Sequence, residues 1–110
     1  MPAREITCTV TEKTWITNTV VHIRFEPSKA FRFEPGQFLS VVVPSEDKRP
    51  PRRAYSFAFP YDLAKKNGYE LLIKVLEDGT GSRYMARLEK GDTFKAFAPY
   101  GDFLYHPPKD

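Results

Sequence analysis

The sequence predicts an all-β domain: a six-stranded antiparallel Greek-key barrel with one short α-helix. Three observations lead there. Apolar and polar residues alternate with a period of two through several short runs, the signature of strands with one buried face. Ten prolines and six glycines divide the 110 residues into brief elements joined by turns. Only one stretch, 83–89, spaces its apolar residues as a helix does. Closing so small a sheet into a barrel is the economical way to leave no strand edge open.

The first strand is read at residues 5–11, with Ile6, Cys8 and Val10 inward and Thr7, Thr9 and Thr11 outward. Cys8 is then a small core residue. The second strand is read at 15–27, with Val21, Ile23 and Phe25 on one face and Val20, His22, Arg24 and Glu26 on the other. His22 is expected at the surface or edge, without a catalytic role. Pro35-Gly36 marks a turn, since proline presets its own φ and glycine accepts a positive one. Residues 38–43 form a β-branched strand stopped by Pro44, and 45–52 a charged loop containing two prolines. A strand at 53–59 follows, then a turn or single helical turn over 60–68 that Gly68 ends. Residues 70–77 alternate again, Leu71, Ile73 and Val75 against Leu72, Lys74 and Leu76. The helix at 83–89 gathers Tyr84, Met85 and Leu88 on one face, with Ser82 as its expected N-cap. The last strand is read at 93–98, followed by the loop Pro99-Tyr100-Gly101-Asp102-Phe103. Residues 106–110 read as a loose tail.

Composition narrows the functional classes. One domain fits the length. A net charge of +3, without a long basic run, suits an anionic ligand or acidic partner better than nucleic acid. The single cysteine excludes an internal disulfide, a cysteine-held zinc and an iron–sulfur cluster within these residues, and His22 and His106 lack metal-ligand spacing. No metal site and no catalytic side chain is therefore assigned. No apolar run is long enough to span a membrane, so the expectation is a cytoplasmic protein without a membrane partner.

Two stretches carry chemistry. In an extended 53–59, Arg53, Tyr55, Phe57 and Phe59 share one face, and Ala54, Ser56 and Ala58 the other. A guanidinium two residues from a phenol can hold a phosphate beside a flat aromatic ligand. Further on, Gly79-Thr80-Gly81-Ser82 leads from a strand into the helix, where free amides favour an anion. It is neither a Rossmann fingerprint, lacking the third glycine and the βαβ context, nor a Walker loop, lacking Gly-Lys-Ser/Thr.

In this order and spacing the chain resembles the flavin-binding barrel of the ferredoxin reductase-like family. Four pieces carry the resemblance: Phe33-Glu34-Pro35-Gly36-Gln37-Phe38, the turn before the third strand; Arg53-Ala54-Tyr55-Ser56, the flavin signature; Gly79-Thr80-Gly81-Ser82, the pyrophosphate turn; and the proline–x–glycine–x–phenylalanine loop at 99–103. The resemblance implies FAD as cofactor, with FMN the alternative. Arg53 would pair with a flavin phosphate, Tyr55 lie against the isoalloxazine, and Ser56 bring its hydroxyl near N5. Gly79, Gly81 and Ser82 would form the pyrophosphate turn, Gly81 and Ser82 contributing amides and a hydroxyl. Phe57 and Ala58 would add backbone contacts. Tyr55 and Ser56 sit on opposite faces of a strand, so both reach one ring only where it lies across the strand's edge or end.

In that family a nucleotide-binding domain follows the barrel, and these residues contain no second glycine motif. The expectation is a flavin-binding barrel over 1–105 with a tail at 106–110, acting as an electron-transfer component of an oxidoreductase. Its NAD(P)H-binding part would be absent or supplied by another chain, so autonomous NAD(P)H reductase activity is not expected. The expected partners are flavin, a separate reductase or electron-transfer protein, and a second copy covering Phe103, Leu104 and Tyr105. The competing expectation is a scaffold that kept the barrel but lost or weakened its flavin, with the basic loop around Lys48, Arg49, Arg52 and Arg53 binding another nucleotide.

Overall fold

The computed structural model describes residues 3–77 and 79–101. Six strands make one antiparallel sheet: β1 (Arg4–Trp15), β2 (Val20–Pro27), β3 (Phe38–Val42), β4 (Arg52–Ser56), β5 (Tyr69–Lys74) and β6 (Thr93–Tyr100). Two helices interrupt them, α1 (Tyr61–Asn67) and α2 (Thr80–Arg87). The order across the sheet is β4-β3-β6-β1-β2-β5, and it curls into a nearly closed barrel. This is the all-β Greek-key arrangement the alternation predicts. Among the described residues no helix is long and apolar enough to cross a membrane.

The inward faces follow the period-two pattern. Cys8, Val21, Ile23, Phe25, Leu39, Val41 and Leu71 are wholly buried, joined by Val10 and Ile73. Burying such side chains supplies about 1.5–3 kcal/mol each, the main force closing the sheet. Met85 of α2 and Leu88 just after it belong to the buried core. Lys13 donates to the Ala86 carbonyl at 2.6 Å. An aromatic cluster completes the core: Phe33 stacks on Phe57 at 4.0 Å, and Phe31 packs against Tyr69 at 4.7 Å. The Tyr69 hydroxyl donates to the Phe31 carbonyl at 2.6 Å and accepts from its amide at 3.0 Å.

Strand ends differ from the sequence reading: β4 spans Arg52–Ser56, so Phe57 and Phe59 lie beyond it, β5 stops at Lys74, and β6 runs on to Tyr100, where a loop is expected from Pro99. Four further departures stand out. First, β1 runs on to Trp15 and β2 starts only at Val20. The hairpin between them is held by Thr17, whose hydroxyl accepts from the amides of Thr19 and Val20 at 3.1 and 3.0 Å. A threonine-capped turn has no glycine or proline to betray it. Second, residues 61–67 make a full second helix. Its Asp62 lies in the first turn and Lys65 and Lys66 in the last, matching the helix dipole, and Gly68 ends it at φ 99°. Third, α2 begins at Thr80, with Gly79 at the N-cap position, so Ser82 is inside the helix and is not its cap. Fourth, His22 is drawn into a partly buried cluster: its Nε2 lies 2.6 Å from Oε1 of Glu70, which also faces Arg24 at 3.3 Å. Strand periodicity put His22 on the correct outward face but could not show that β5 would bring an acid across to it. The expectations for Phe103, Leu104, Tyr105 and the tail fall outside the described residues.

Candidate functional site

The strands β4 and β5 are the two ends of the sheet order. They face each other across a seam instead of pairing as a ladder, and the Ala58 amide bridges it by donating to the Glu70 carbonyl at 2.8 Å. An unpaired seam leaves main-chain donors and acceptors exposed along both edges. The first turn of α2 stands at this seam beside β4.

Strand alternation sends the two adjacent arginines of β4 in opposite directions. Arg52 turns outward, its guanidinium 4.2 Å from the Phe97 ring and its Nη2 donating to the Tyr100 hydroxyl at 2.8 Å. Arg53 turns towards α2. Its stem passes so close to Gly81 that a Cβ there would stand 2.5 Å from Arg53 Cγ and 3.2 Å from the Tyr55 hydroxyl. Arg53, Tyr55 and Gly81 thus converge although the last is 28 positions along from Arg53. Among the described residues, the exposed guanidinium of Arg53 makes only a local bond, from Nη1 to the Arg52 carbonyl at 2.9 Å. Tyr55 is half-buried against the core. Burial pushes its phenol above the ordinary value, with the Arg53 charge pulling the other way. The ring therefore stays neutral at physiological pH.

Tyr55 and Ser56 are the last two residues of β4, on its two faces. β4 is an edge strand and Ser56 is its final, exposed residue, so a ring laid across that end can meet both faces. Ala54 is exposed on the Ser56 side. Phe57 spends its side chain on the aromatic cluster, leaving only its main chain to a ligand. Ala58 has already given its amide to Glu70.

The α2 turn is electrostatically suited to an anion. It carries no acid in its first turn, although acids are favoured there in most helices. Arg83 adds a cation, anchored by donation from Nη1 to the Glu77 carbonyl at 3.1 Å. Gly81 and Ser82 are both buried, and Thr80 is exposed at the helix start. The Ser82 hydroxyl points back into its own turn, accepting from the Leu76 amide at 2.9 Å and donating to the Gly79 carbonyl at 3.2 Å.

Sequence reading missed Arg83 as a cation of the site, and it missed the exposure of Leu72 and Leu76. These two are 51% and 54% exposed on and just beyond edge strand β5, flanking Lys74. The available signal was leucine on the face opposite the buried Leu71 and Ile73. The site as a whole offers a cradle beside glycine, two cations, a neutral phenol, a hydroxyl at a strand end and an unpaired main-chain edge. A diphosphate-bearing aromatic cofactor such as FAD fits that set of donors.

Comparison with known proteins agrees. Residues 7–105 match the family described as oxidoreductase FAD-binding domain. The chain is 39% identical over 79 residues to ferredoxin–NADP reductase B of Sorangium cellulosum, covering 72% of this chain and 31% of that protein. It is 32% identical over 111 residues to the aromatic O-demethylase reductase subunit of an Amycolatopsis species, covering 99% and 32%. The crystal structure of the Amycolatopsis cytochrome P450 reductase GcoB superposes with a TM-score of 0.77 at 31% identity, over 97% of this chain and 31% of that one. The chain therefore spans about a third of the length of these relatives. By its barrel, its seam and this match, it belongs to the FAD-binding domain family of ferredoxin reductase-like oxidoreductases.

Proposed function

We propose that the seam between β4 and β5 holds FAD and that the domain relays electrons between a nicotinamide dinucleotide and a protein acceptor. Arg53 and the amides of Gly81 and Ser82 take the pyrophosphate, beside Gly79. Tyr55 lies against the isoalloxazine, Ser56 faces N5, and Ala54 and Phe57 contribute main-chain contacts. The convergence of Arg53, Tyr55 and Gly81 carries this reading, because it unites two motifs from separate parts of the chain at one surface. When bound, FAD supplies the hydride-accepting and electron-releasing chemistry, and the protein supplies orientation and electrostatics. The dinucleotide-binding part is provided by a further domain, on a longer polypeptide or a separate protein. Residues 1–105 form the flavin-binding unit and 106–110 a tail, a division supported by the extent of the family match.

The test is titration of the purified protein with FAD, FMN and riboflavin, followed by absorbance and flavin fluorescence. Saturable binding that ranks FAD above riboflavin is expected. A protein that ignores all three would sink the proposal and favour the scaffold reading. Addition of NADH or NADPH to the loaded domain should leave the flavin oxidised until a dinucleotide-binding partner is supplied. Exposed Trp15 and Ile16 give self-association a specific basis, and sedimentation of the loaded protein decides between monomer and dimer.

A further inference from the structure

We propose that a second site, separate from the flavin seam, binds a small anion with an amide group and an apolar body, the chemistry of an N-acylated aromatic amino acid. A cavity of about 450 Å³ opens between the start of β1, the connection from β2 to β3 and the end of β6. That size lies within the range of small-ligand pockets, roughly 300–1,000 Å³. No residue of β4, β5 or α2 lines it, so it is not part of the seam.

The cavity opens where the ladder between β1 and β2 stops. Odd-numbered residues at the start of β1 turn their main chain towards β2. The Thr7 carbonyl accepts from the Ser28 amide at 2.7 Å, and the Thr7 amide donates to the Ser28 hydroxyl at 3.1 Å. Even-numbered residues turn towards β6, as Val10 does in donating to the Asp92 carbonyl at 2.8 Å. Glu5, two positions before Thr7, therefore aims its amide and carbonyl at the place where β2 would continue. The register that sets Cys8 against Pro27 would set Glu5 against Ala30, but β2 has ended and both residues line the cavity instead. Among the described residues, no loop or side-chain group bonds to the Glu5 amide or carbonyl. A ligand amide, with one N–H to donate and one carbonyl to accept, supplies the missing rung.

The rest of the lining matches the rest of such a ligand. Ile6 and Ala98, 4% and 2% exposed, give apolar walls, and Phe31 adds an aromatic ring. The Ser28 hydroxyl, having accepted from Thr7, keeps its own proton for a ligand oxygen. Arg32 is engaged with Glu34 at 3.5 Å, whereas exposed Arg4 and Lys29 make no ion pair among the described residues. Only the Glu5 carboxylate stands against those two cations, so the free charge here is positive and favours an anion.

The experiment follows amide NMR spectra of the full chain during titration with three probes. N-acetyl-L-phenylalanine carries the whole pattern, N-acetyl-L-phenylalaninamide lacks the charge, and hydrocinnamate keeps ring and carboxylate but lacks the acylamino group. The first should give saturable shifts centred on Glu5, Ser28 and Lys29. The neutral amide should bind about tenfold more weakly, and hydrocinnamate about fivefold more weakly. Arg4→Gln and Lys29→Gln change exposed side chains, and each should weaken the first probe about threefold while leaving the neutral amide unaffected. Equal binding of all three probes would overturn the proposal, and so would the absence of saturable shifts at Glu5. Shifts centred on Arg53, Tyr55 and Gly81 would overturn it as well, by putting the anion at the seam. The proposal does not rest on the flavin reading, which the FAD titration tests separately.

Discussion

Gly81 lies directly against the stem of Arg53, with room for a hydrogen but not for a methyl: a Cβ would meet Arg53 Cγ at 2.5 Å. The contact sets where the guanidinium of an edge strand meets the amides of a helix start. Gly81→Ala should displace Arg53, because the far end of a flexible side chain yields more readily than backbone. The expected outcome is a Tm within a few degrees of wild type and FAD affinity lowered about tenfold. Thermal melts of the flavin-free protein and FAD titration check the two halves separately.

The adjacent arginines should behave differently. Arg53→Ala removes a charge-assisted phosphate contact worth about 1.5–3 kcal/mol, so FAD should weaken by roughly ten- to a hundredfold while riboflavin is unaffected. Arg52→Ala instead removes the bond to Tyr100 and the stacking on Phe97. It should cost about 1 kcal/mol of stability, read from urea unfolding, and spare the preference for FAD over riboflavin. The reverse pattern would exchange their roles.

Tyr69→Phe probes the aromatic cluster. The lost hydroxyl served both the amide and the carbonyl of Phe31. Leaving these part-buried groups without it should destabilise the domain by about 1–3 kcal/mol. A urea midpoint that does not move would show that water replaces the hydroxyl without loss.

Alkaline pH should unfold the protein through Cys8. Burial pushes its thiol from 9.0 up to about 12. Between those values the folded state keeps a proton that the unfolded chain has released, so stability falls as pH rises. The contribution is complete below pH 9 and is lost at about 1.4 kcal/mol per pH unit on the way to 12. Burial raises the phenols of Tyr55, Tyr69 and Tyr84 too, and they act in the same direction. Urea midpoints at several pH values above 8 check the slope, and Cys8→Ala should flatten it. In the native state near neutral pH the thiol should resist alkylation until denaturant is added.

What the sequence determined by itself was the set of inward faces and the motif residues. Ile6, Cys8 and Val10, then Val21, Ile23 and Phe25, then Leu71 and Ile73, were readable because a strand alternates with a period of two whatever its partner. Arg53 and Tyr55 were readable as one face for the same reason. Partnership was not readable, because contacts between distant segments depend on how the sheet closes. Closure set β4 and β5 edge to edge, placed Ser56 at an exposed strand end, and put Gly81 under Arg53. It also carried Glu70 across to His22. The Ser82 hydroxyl shows the limit most clearly. A serine before an apolar helical run reads as a cap, and only the tertiary structure showed it bonded to the Leu76 amide and the Gly79 carbonyl.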